Sequence, residues 1–482
     1  MSQSDVSAAK AYLATLDHLK GVAPEIANAI IQELKDQRRH LKLIASENYS
    51  SLSVQLAMGN LMTDKYSEGY PFHRFYAGCE NVDVIEQRAV DLAKKLFGAA
   101  HAYVQPHSGA DANLVALWAI LTKRVQSPRI EKLGKKTLDS LTAEEFETLR
   151  HELADKTLMG LSLHSGGHLT HGYRHNVTAK MFRAVTYDVD PTTCLLDYTK
   201  IAKIARSEKP LILMAGFSAY SRRINFAKMR EIAQEVGAVL MVDMAHFAGL
   251  VAGKAFKGDE NPIPFAHVVT STTHKTLRGP RGGIVLCNDE FTDDVNKGCP
   301  LILGGPLPHV IAAKAIAFNE ALQPEFCIYT QRVIANANAL AVGLMRRGMK
   351  IVSDGTDNHL LLVDLSTMGI TGRQAELALT EVGITVNRNM VPFDPTGPWY
   401  TAGIRLGTPA LTTRGMGVEE MDQIADCIVS VLNNLKPAIV EKTGKPSLAH
   451  YTIEPKWIKR AQAKVKELSE HYPLYPEITI KE

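Results

Sequence analysis

The sequence predicts an α/β fold with a mostly parallel sheet, joined to a smaller α+β region. Three observations predict it. From about residue 65 to about 320, short apolar runs such as Leu211-Ile-Leu-Met-Ala215 and Val239-Leu-Met-Val242 alternate with amphipathic helical stretches. Two of the apolar runs end in residues able to do chemistry, one at Asp243 and one just before Lys275. Beyond a long helical pattern from Pro324 to Arg347, Leu360-Leu-Leu-Val-Asp-Leu365 and the segments after it read as a second, smaller lobe. The expected division is a helical arm over 1–64, a large domain over 65–320 and a small domain over 321–482.

In the arm, Pro24-Glu-Ile-Ala-Asn-Ala-Ile-Ile-Gln-Glu-Leu34 has helical periodicity, and Pro24 suits a first turn. Next comes His107-Ser-Gly-Ala-Asp-Ala-Asn-Leu-Val-Ala-Leu-Trp-Ala-Ile-Leu121. Small polar residues opening an apolar helix leave N–H groups free for a phosphate, although an ordinary capped helix has the same look.

The stretch of about 123–158 is long for a connection without structure of its own. It is charged, with Lys132, Lys135, Lys136, Glu144, Glu145 and Glu147. Thr142-Ala-Glu-Glu145 fits a capping box, and Phe146, Leu149 and Leu153 share one helical stripe. It reads as a helical insertion on the surface.

His164, His168, His171 and His175 mimic the spacing of a zinc-binding helix. Gly166, Gly167 and Gly172 would break that helix, and no Cys or Glu completes a ligand set, so no metal is expected. A glycine-flanked imidazole lying flat on an aromatic ring is the better reading.

The strand through Val242 stops at Asp243, where a buried carboxylate needs a cationic partner. A protonated pyridine nitrogen would serve; an N-cap at a strand-to-helix turn is the plainer alternative. In Val268-Val-Thr-Ser-Thr-Thr-His-Lys275, a lysine follows a strand end and precedes a glycine-rich turn. Desolvation there would lower its pKa and free its amine to attack a carbonyl, as a pyridoxal phosphate (PLP) Schiff base requires. A lysine snorkelling beside a turn would look similar. The order Asp, then Lys about thirty residues on, both at strand ends, favours the cofactor.

Composition excludes several classes. The 482 residues carry 45% hydrophobic and 22% charged residues, ordinary for a globular protein, and the length suggests more than one lobe. A net charge of +3 leaves no nucleic-acid footprint. The six cysteines are scattered and form no CxxC, so neither a disulfide framework nor a zinc knuckle is expected. No apolar run is long enough for a bilayer, and Met1–Lys20 carries no export or import pattern, so a cytoplasmic location is expected.

Ten stretches together resemble the serine hydroxymethyltransferase family: Leu43-Ile-Ala-Ser-Glu-Asn-Tyr49, Lys65-Tyr-Ser-Glu-Gly-Tyr-Pro71, Tyr76-Ala-Gly-Cys-Glu80, Gly166-Gly-His-Leu-Thr-His-Gly172, Gly216-Phe-Ser-Ala-Tyr-Ser221, Val242-Asp-Met-Ala-His246, Thr272-Thr-His-Lys-Thr276, Gly279-Pro-Arg-Gly-Gly283, Thr356-Asp-Asn-His-Leu360 and Gly403-Ile-Arg-Leu-Gly-Thr-Pro409. They follow family order into the last quarter of the chain. The resemblance implies the aspartate-aminotransferase-like fold type I of PLP-dependent transferases. It implies a homodimer with shared active sites, acting on L-serine, glycine and tetrahydrofolate. No nucleic acid or membrane partner is implied.

Roles follow from the resemblance. Lys275 carries PLP, Asp243 pairs with its ring nitrogen, and His168 stacks on the ring. Ser218 and His246 contact the ring, and Thr272 places a hydroxyl beside Lys275. Ser108, Gly109 and His274 match the phosphate cup. Tyr66, Gly304 and Gly305 match positions that reach the phosphate from the second subunit. Arg405 takes the substrate carboxylate, with Ser46 beside it. Tyr76 and Arg281 match polar positions of the active site. Glu68 handles the hydroxymethyl proton. Leu163, Gly167, Leu169 and Asn389 match pterin contacts.

Three departures stand out. Ala110 replaces a common serine, Leu301-Ile-Leu303 replaces a more glycine-rich run, and Phe75 replaces a tyrosine. The first two bear on the phosphate grip; none touches Lys275, Asp243 or Arg405. A different reaction on the same fold, threonine aldol cleavage or alanine racemisation, is the alternative enzyme reading. An RNA-binding regulator on this fold is the non-enzymatic one, disfavoured by the full catalytic set and the weak charge.

Overall fold

A computed structural model describes residues 3–394 and 396–480. The chain divides into two compact units. One comprises Ala57–Ser218 and Arg223–Cys327; the other comprises Met1–Leu56, Ala219–Arg222 and Ile328–Glu482. The sequence expectation set 1–64 apart and placed a boundary at 320. In the structure residues 1–56 share a unit with 328–482, and the second boundary follows Cys327.

The reason is packing. Helices α1 (Gln3–Val22) and α2 (Pro24–Arg39) open the chain, with Pro24 in the first turn of α2. Ala9 and Leu34 lie in one apolar cluster with Ala410, Leu474 and Ile478. Leu41 pairs in parallel with Ile384. Arg414 donates to the carbonyls of His40 and Arg38. Periodicity reveals an amphipathic face but not the segment that covers it.

The larger unit is built on seven strands: β1 (His101–Tyr103), β2 (Thr157–Leu161), β3 (Arg183–Tyr187), β4 (Ile212–Gly216), β5 (Val239–Asp243), β6 (Val268–Thr272) and β7 (Gly283–Cys287). Their order is β1-β7-β6-β5-β4-β2-β3. Pairings from β3 through β6 are parallel, and β7 runs antiparallel to both β6 and β1. Strands β2, β4, β5, β6 and β7 are buried at every position, which accounts for their continuous apolar runs. Helices α3 (Glu80–Phe97), α4 (Gly109–Leu121), α5 (Ala143–Ala154) and α6 (Pro308–Ala321) belong to this unit. Apolar α4 packs against β6 and β7, and its residues join a core cluster with Met214, Met241 and Val268.

The 123–158 segment includes α5, whose start is the expected capping box. Thr142 Oγ1 accepts from Glu145 N at 3.2 Å, and Thr142 N donates to the Glu145 carboxylate at 2.8 Å. Leu149 is buried, whereas Phe146 is exposed.

After α7 (Pro324–Arg346), the smaller unit contributes an antiparallel sheet in the order β8-β9-β11-β10. Its strands are β8 (Lys350–Ile351), β9 (Leu360–Asp364), β10 (Asn387–Asn389) and β11 (Gly403–Gly407). Leu361, Val363, Ile404 and Leu406 share its core with Leu340 and Ile428. Among the described residues, no helix is long and apolar enough to cross a membrane.

Candidate active site

Strand β5 delivers Asp243 to the carboxyl edge of the parallel sheet, where ligands of open α/β sheets bind. Asp243 is 7% exposed. Its Oδ2 accepts from Asn113 Nδ2 at 2.9 Å and lies 3.3 Å from His171 Nε2, and its Oδ1 accepts from Ala245 N at 3.0 Å. Burial alone would push the carboxyl up. The imidazoles of His171 and His168, with the Asn113 amide, outweigh it and hold the group well below the usual carboxylate range. Donor atoms of His168, His171 and Asp243 lie within 4.8 Å of one another.

The histidine run is no continuous helix. Leu163–Ser165 and Leu169–His171 are separate single turns ending at Gly166 and Gly172, both with positive φ. A Cβ on Gly167 would lie 1.9 Å from the Leu161 carbonyl oxygen, so only glycine fits there. His168 Nδ1 lies 2.8 Å from Thr170 Oγ1. Burial lowers its pKa to about 4, with Asp243 opposing and the charges of His171 and Lys275 adding to the fall.

Lys275 follows β6 by three residues and is half-buried. Thr272 Oγ1 donates to the Ala245 carbonyl at 3.2 Å, and Thr276 Oγ1 donates to the His246 carbonyl at 3.0 Å. These bonds join the Lys275 segment to the loop after Asp243. His274, next to Lys275, has a buried Nδ1 with no hydrogen-bond partner among the described residues. Burial, then Arg281 and Lys275, lowers its pKa to about 3. At the start of α4, Ser108 Oγ caps the helix by accepting from Asp111 N at 3.1 Å. A Cβ on Gly109 would lie 2.6 Å from Thr272 Cγ2, so the backbone of this helix start packs directly on the Thr272 side chain at the end of β6. Ala110, in the first turn, is exposed. A buried ionised carboxylate, an amine beyond the neighbouring strand, an imidazole nitrogen with no partner among the described residues and a capped helix start packed on the end of that strand fit a phosphorylated, positively charged aromatic aldehyde.

A serine hydroxymethyltransferase family model matches residues 19–129 and 148–428. The chain belongs to the serine hydroxymethyltransferase family. It is 57% identical to the serine hydroxymethyltransferase of Cutibacterium acnes, over 97% of this chain and 95% of that protein. It is 57% identical to the one from Treponema pallidum, over 98% and 82%, and 55% identical to the one from Mycolicibacterium smegmatis, over 98% and 96%. The family is one of PLP-dependent fold type I enzymes, in keeping with the α/β architecture and mostly parallel sheet seen here. The gap between the two matched stretches, residues 130–147, falls inside the 123–158 insertion.

The remaining positions drawn from the family resemblance fall in three places. Ser218, whose N–H donates to the Gly166 carbonyl at 2.7 Å, is in the same unit as Asp243, as are His246, Leu163, exposed Leu169 and exposed Arg281. Tyr66, Glu68, Tyr76 and Gly305 gather in a second cluster of that unit. The Glu68 carboxylate lies near the Tyr66 hydroxyl, and its charge raises the tyrosine pKa. The Tyr66 and Tyr76 rings meet edge to face at 5.0 Å, and a Cβ on Gly305 would touch the Tyr66 ring at 3.3 Å. Gly304 is exposed beside it. Ser46, Asn389 and Arg405 lie in the smaller unit. Arg405, on β11, is 9% exposed and donates from Nε to Asn387 Oδ1 at 3.1 Å; burial lowers its pKa to about 10.

Sequence reasoning passed over Asn113, Thr170 and the role of His171, which form the hydrogen-bonded bed of Asp243. Thr270 Oγ1 donates to Asn113 Oδ1 at 2.5 Å, and Asn113 Nδ2 also reaches Thr170 Oγ1 at 2.7 Å. The one available signal was a lone Asn within an otherwise apolar run of α4.

Proposed function

We propose that this chain catalyses the reversible transfer of the hydroxymethyl group of L-serine to tetrahydrofolate, giving glycine and 5,10-methylenetetrahydrofolate. The observation that carries the reading is Asp243, a buried carboxylate held ionised at a strand end, in a chain of this family. PLP is the proposed cofactor. When bound, it supplies an electron sink for cleavage of the serine Cα–Cβ bond.

The chain's own groups do the rest. Lys275 would hold the cofactor through its amine. Asp243 would keep a proton on the ring nitrogen, and His168 would lie against the ring face. Ser108, Gly109 and His274 would take the phosphate, and Ser218, His246 and Thr272 would orient the ring. Arg405, with Ser46, would receive the serine carboxylate as a two-pronged pair. Glu68 would move the hydroxymethyl proton, with Tyr76 and Arg281 as polar neighbours. Leu163, Gly167, Leu169 and Asn389 would face the pterin. Tyr66, Gly304 and Gly305 would reach the phosphate of a second copy in a homodimer; the Tyr66 ring lies against Gly305, which keeps these positions together. A cytoplasmic location completes the proposal.

The test is the visible spectrum of PLP-loaded protein with glycine, before and after tetrahydrofolate. A long-wavelength band that grows strongly on adding the folate is expected. A glycine spectrum indifferent to folate would contradict the reading.

A further inference from the structure

Lys314, in the middle of α6, is 1% exposed and takes no part in the chemistry described above. Its Nζ donates to three backbone carbonyls: Val104 at 2.6 Å, Pro106 at 2.9 Å and Gly283 at 2.9 Å. An ammonium has three N–H donors and a neutral amine two, so three carbonyls at these distances use the whole capacity of the charged form. Burial drags the pKa to about 7, while Glu86 of α3 and Asp111 of α4 pull it back up.

The three carbonyls belong to two segments of the proposed cofactor site. Val104 and Pro106 lie between β1 and His107-Ser108-Gly109, where α4 begins. Gly283 opens β7, directly after the turn that carries His274, Lys275 and Arg281. The same junction is closed by Gly283 N donating to the Pro106 carbonyl at 2.8 Å, while Thr273 N donating to the Gly282 carbonyl at 3.0 Å closes the turn that carries His274 and Lys275. A Cβ on Gly283 would lie 2.2 Å from the Ser108 carbonyl oxygen, so the two backbones touch. Three carbonyl oxygens converging on one buried point repel each other unless a cation sits between them.

We infer that Lys314 is a positioning residue for the phosphate cup: it clamps the Pro106–Gly109 and His274–Gly283 segments together so that both reach one phosphate. The inference rests on the proposed PLP site. The probe is PLP itself, titrated into apoprotein. Lys314→Met keeps an unbranched chain but no donor. Its PLP dissociation constant should rise roughly 10- to 100-fold, the size of losing a charge-assisted hydrogen bond. The rise in melting temperature that PLP confers should shrink with it. A merely structural lysine would lower the melting temperatures of both forms together and leave the PLP increment intact. Gly282→Ala gives a second reading with the charge retained, because its Cβ would press on Lys314 Cε at 2.5 Å and push the side chain off its seat. It should loosen PLP in the same direction, and it decides the matter if Lys314→Met does not fold. Wild-type PLP affinity in either folded variant overturns the inference. Wild-type protein that binds no PLP would instead refute the underlying site.

Discussion

Asn113 Nδ2 donates to Asp243 Oδ2 across 2.9 Å, linking the buried face of α4 to the end of β5. The oxygen of that amide, Asn113 Oδ1, accepts from Thr270 Oγ1, so one side chain serves three strand and loop segments. Asn113→Ala should therefore leave the Thr270 hydroxyl and one Asp243 lone pair unsatisfied. A loss of about 1–3 kcal/mol in unfolding free energy is expected, read from denaturant titration of wild type and variant. A loss well under 0.5 kcal/mol would show that water replaces the amide at no cost.

Acid should destabilise the fold through buried neutral imidazoles. His168 and His274 have folded pKa values of about 4 and about 3, below the unfolded value of roughly 6.5. Between those limits the unfolded chain binds more protons. The stability is then fully present above pH ~6.5 and falls as pH drops through the folded values, by about 1.4 kcal/mol per pH unit for each proton. His168→Gln should flatten the slope between pH ~6.5 and ~4 in urea unfolding series. An unchanged slope would exclude His168 as a source.

Arg405 is tested by its effect on serine. Arg405→Ala should weaken serine binding by about 2–5 kcal/mol, as for a truncated buried charge pair, and leave PLP affinity nearly unchanged. A wild-type KM for serine in that variant would remove Arg405 from the substrate site.

Glu68 is tested by comparing two substrates. Glu68→Gln should lower serine cleavage by a factor on the order of 10²–10⁴. Cleavage of 3-phenylserine, which needs no folate, should fall much less. Equal losses on both would assign Glu68 a structural part beside Tyr66.

How far the sequence could be read depends on the range of the interaction. Asp243 and Lys275 were legible because their signals are local: an apolar strand, a chemical residue at its end, a glycine-rich turn. The α5 start was legible for the same reason, since Thr142 and Glu145 are three residues apart. Arg405 enters the proposed site only through the family resemblance, because an Arg inside Gly403–Gly407 carries no local mark of a ligand site. Asn113 was not legible, because its partners Thr170 and Asp243 are 57 and 130 residues away. Lys314 was missed likewise; its carbonyl partners are 31 to 210 residues distant. The packing of residues 1–56 with the C-terminal part escaped the sequence because an amphipathic stripe does not name its cover.

The amine proposed to carry the cofactor is that of Lys275, on the segment joined by Thr272 and Thr276 to the loop after Asp243. Borohydride reduction of PLP-loaded protein, followed by proteolysis and peptide mass analysis, measures it directly. The expected result is the reduced cofactor on the peptide containing Lys275, with no such product from Lys275→Ala. Reduced cofactor on another lysine of the wild-type protein would rule out Lys275 as its carrier.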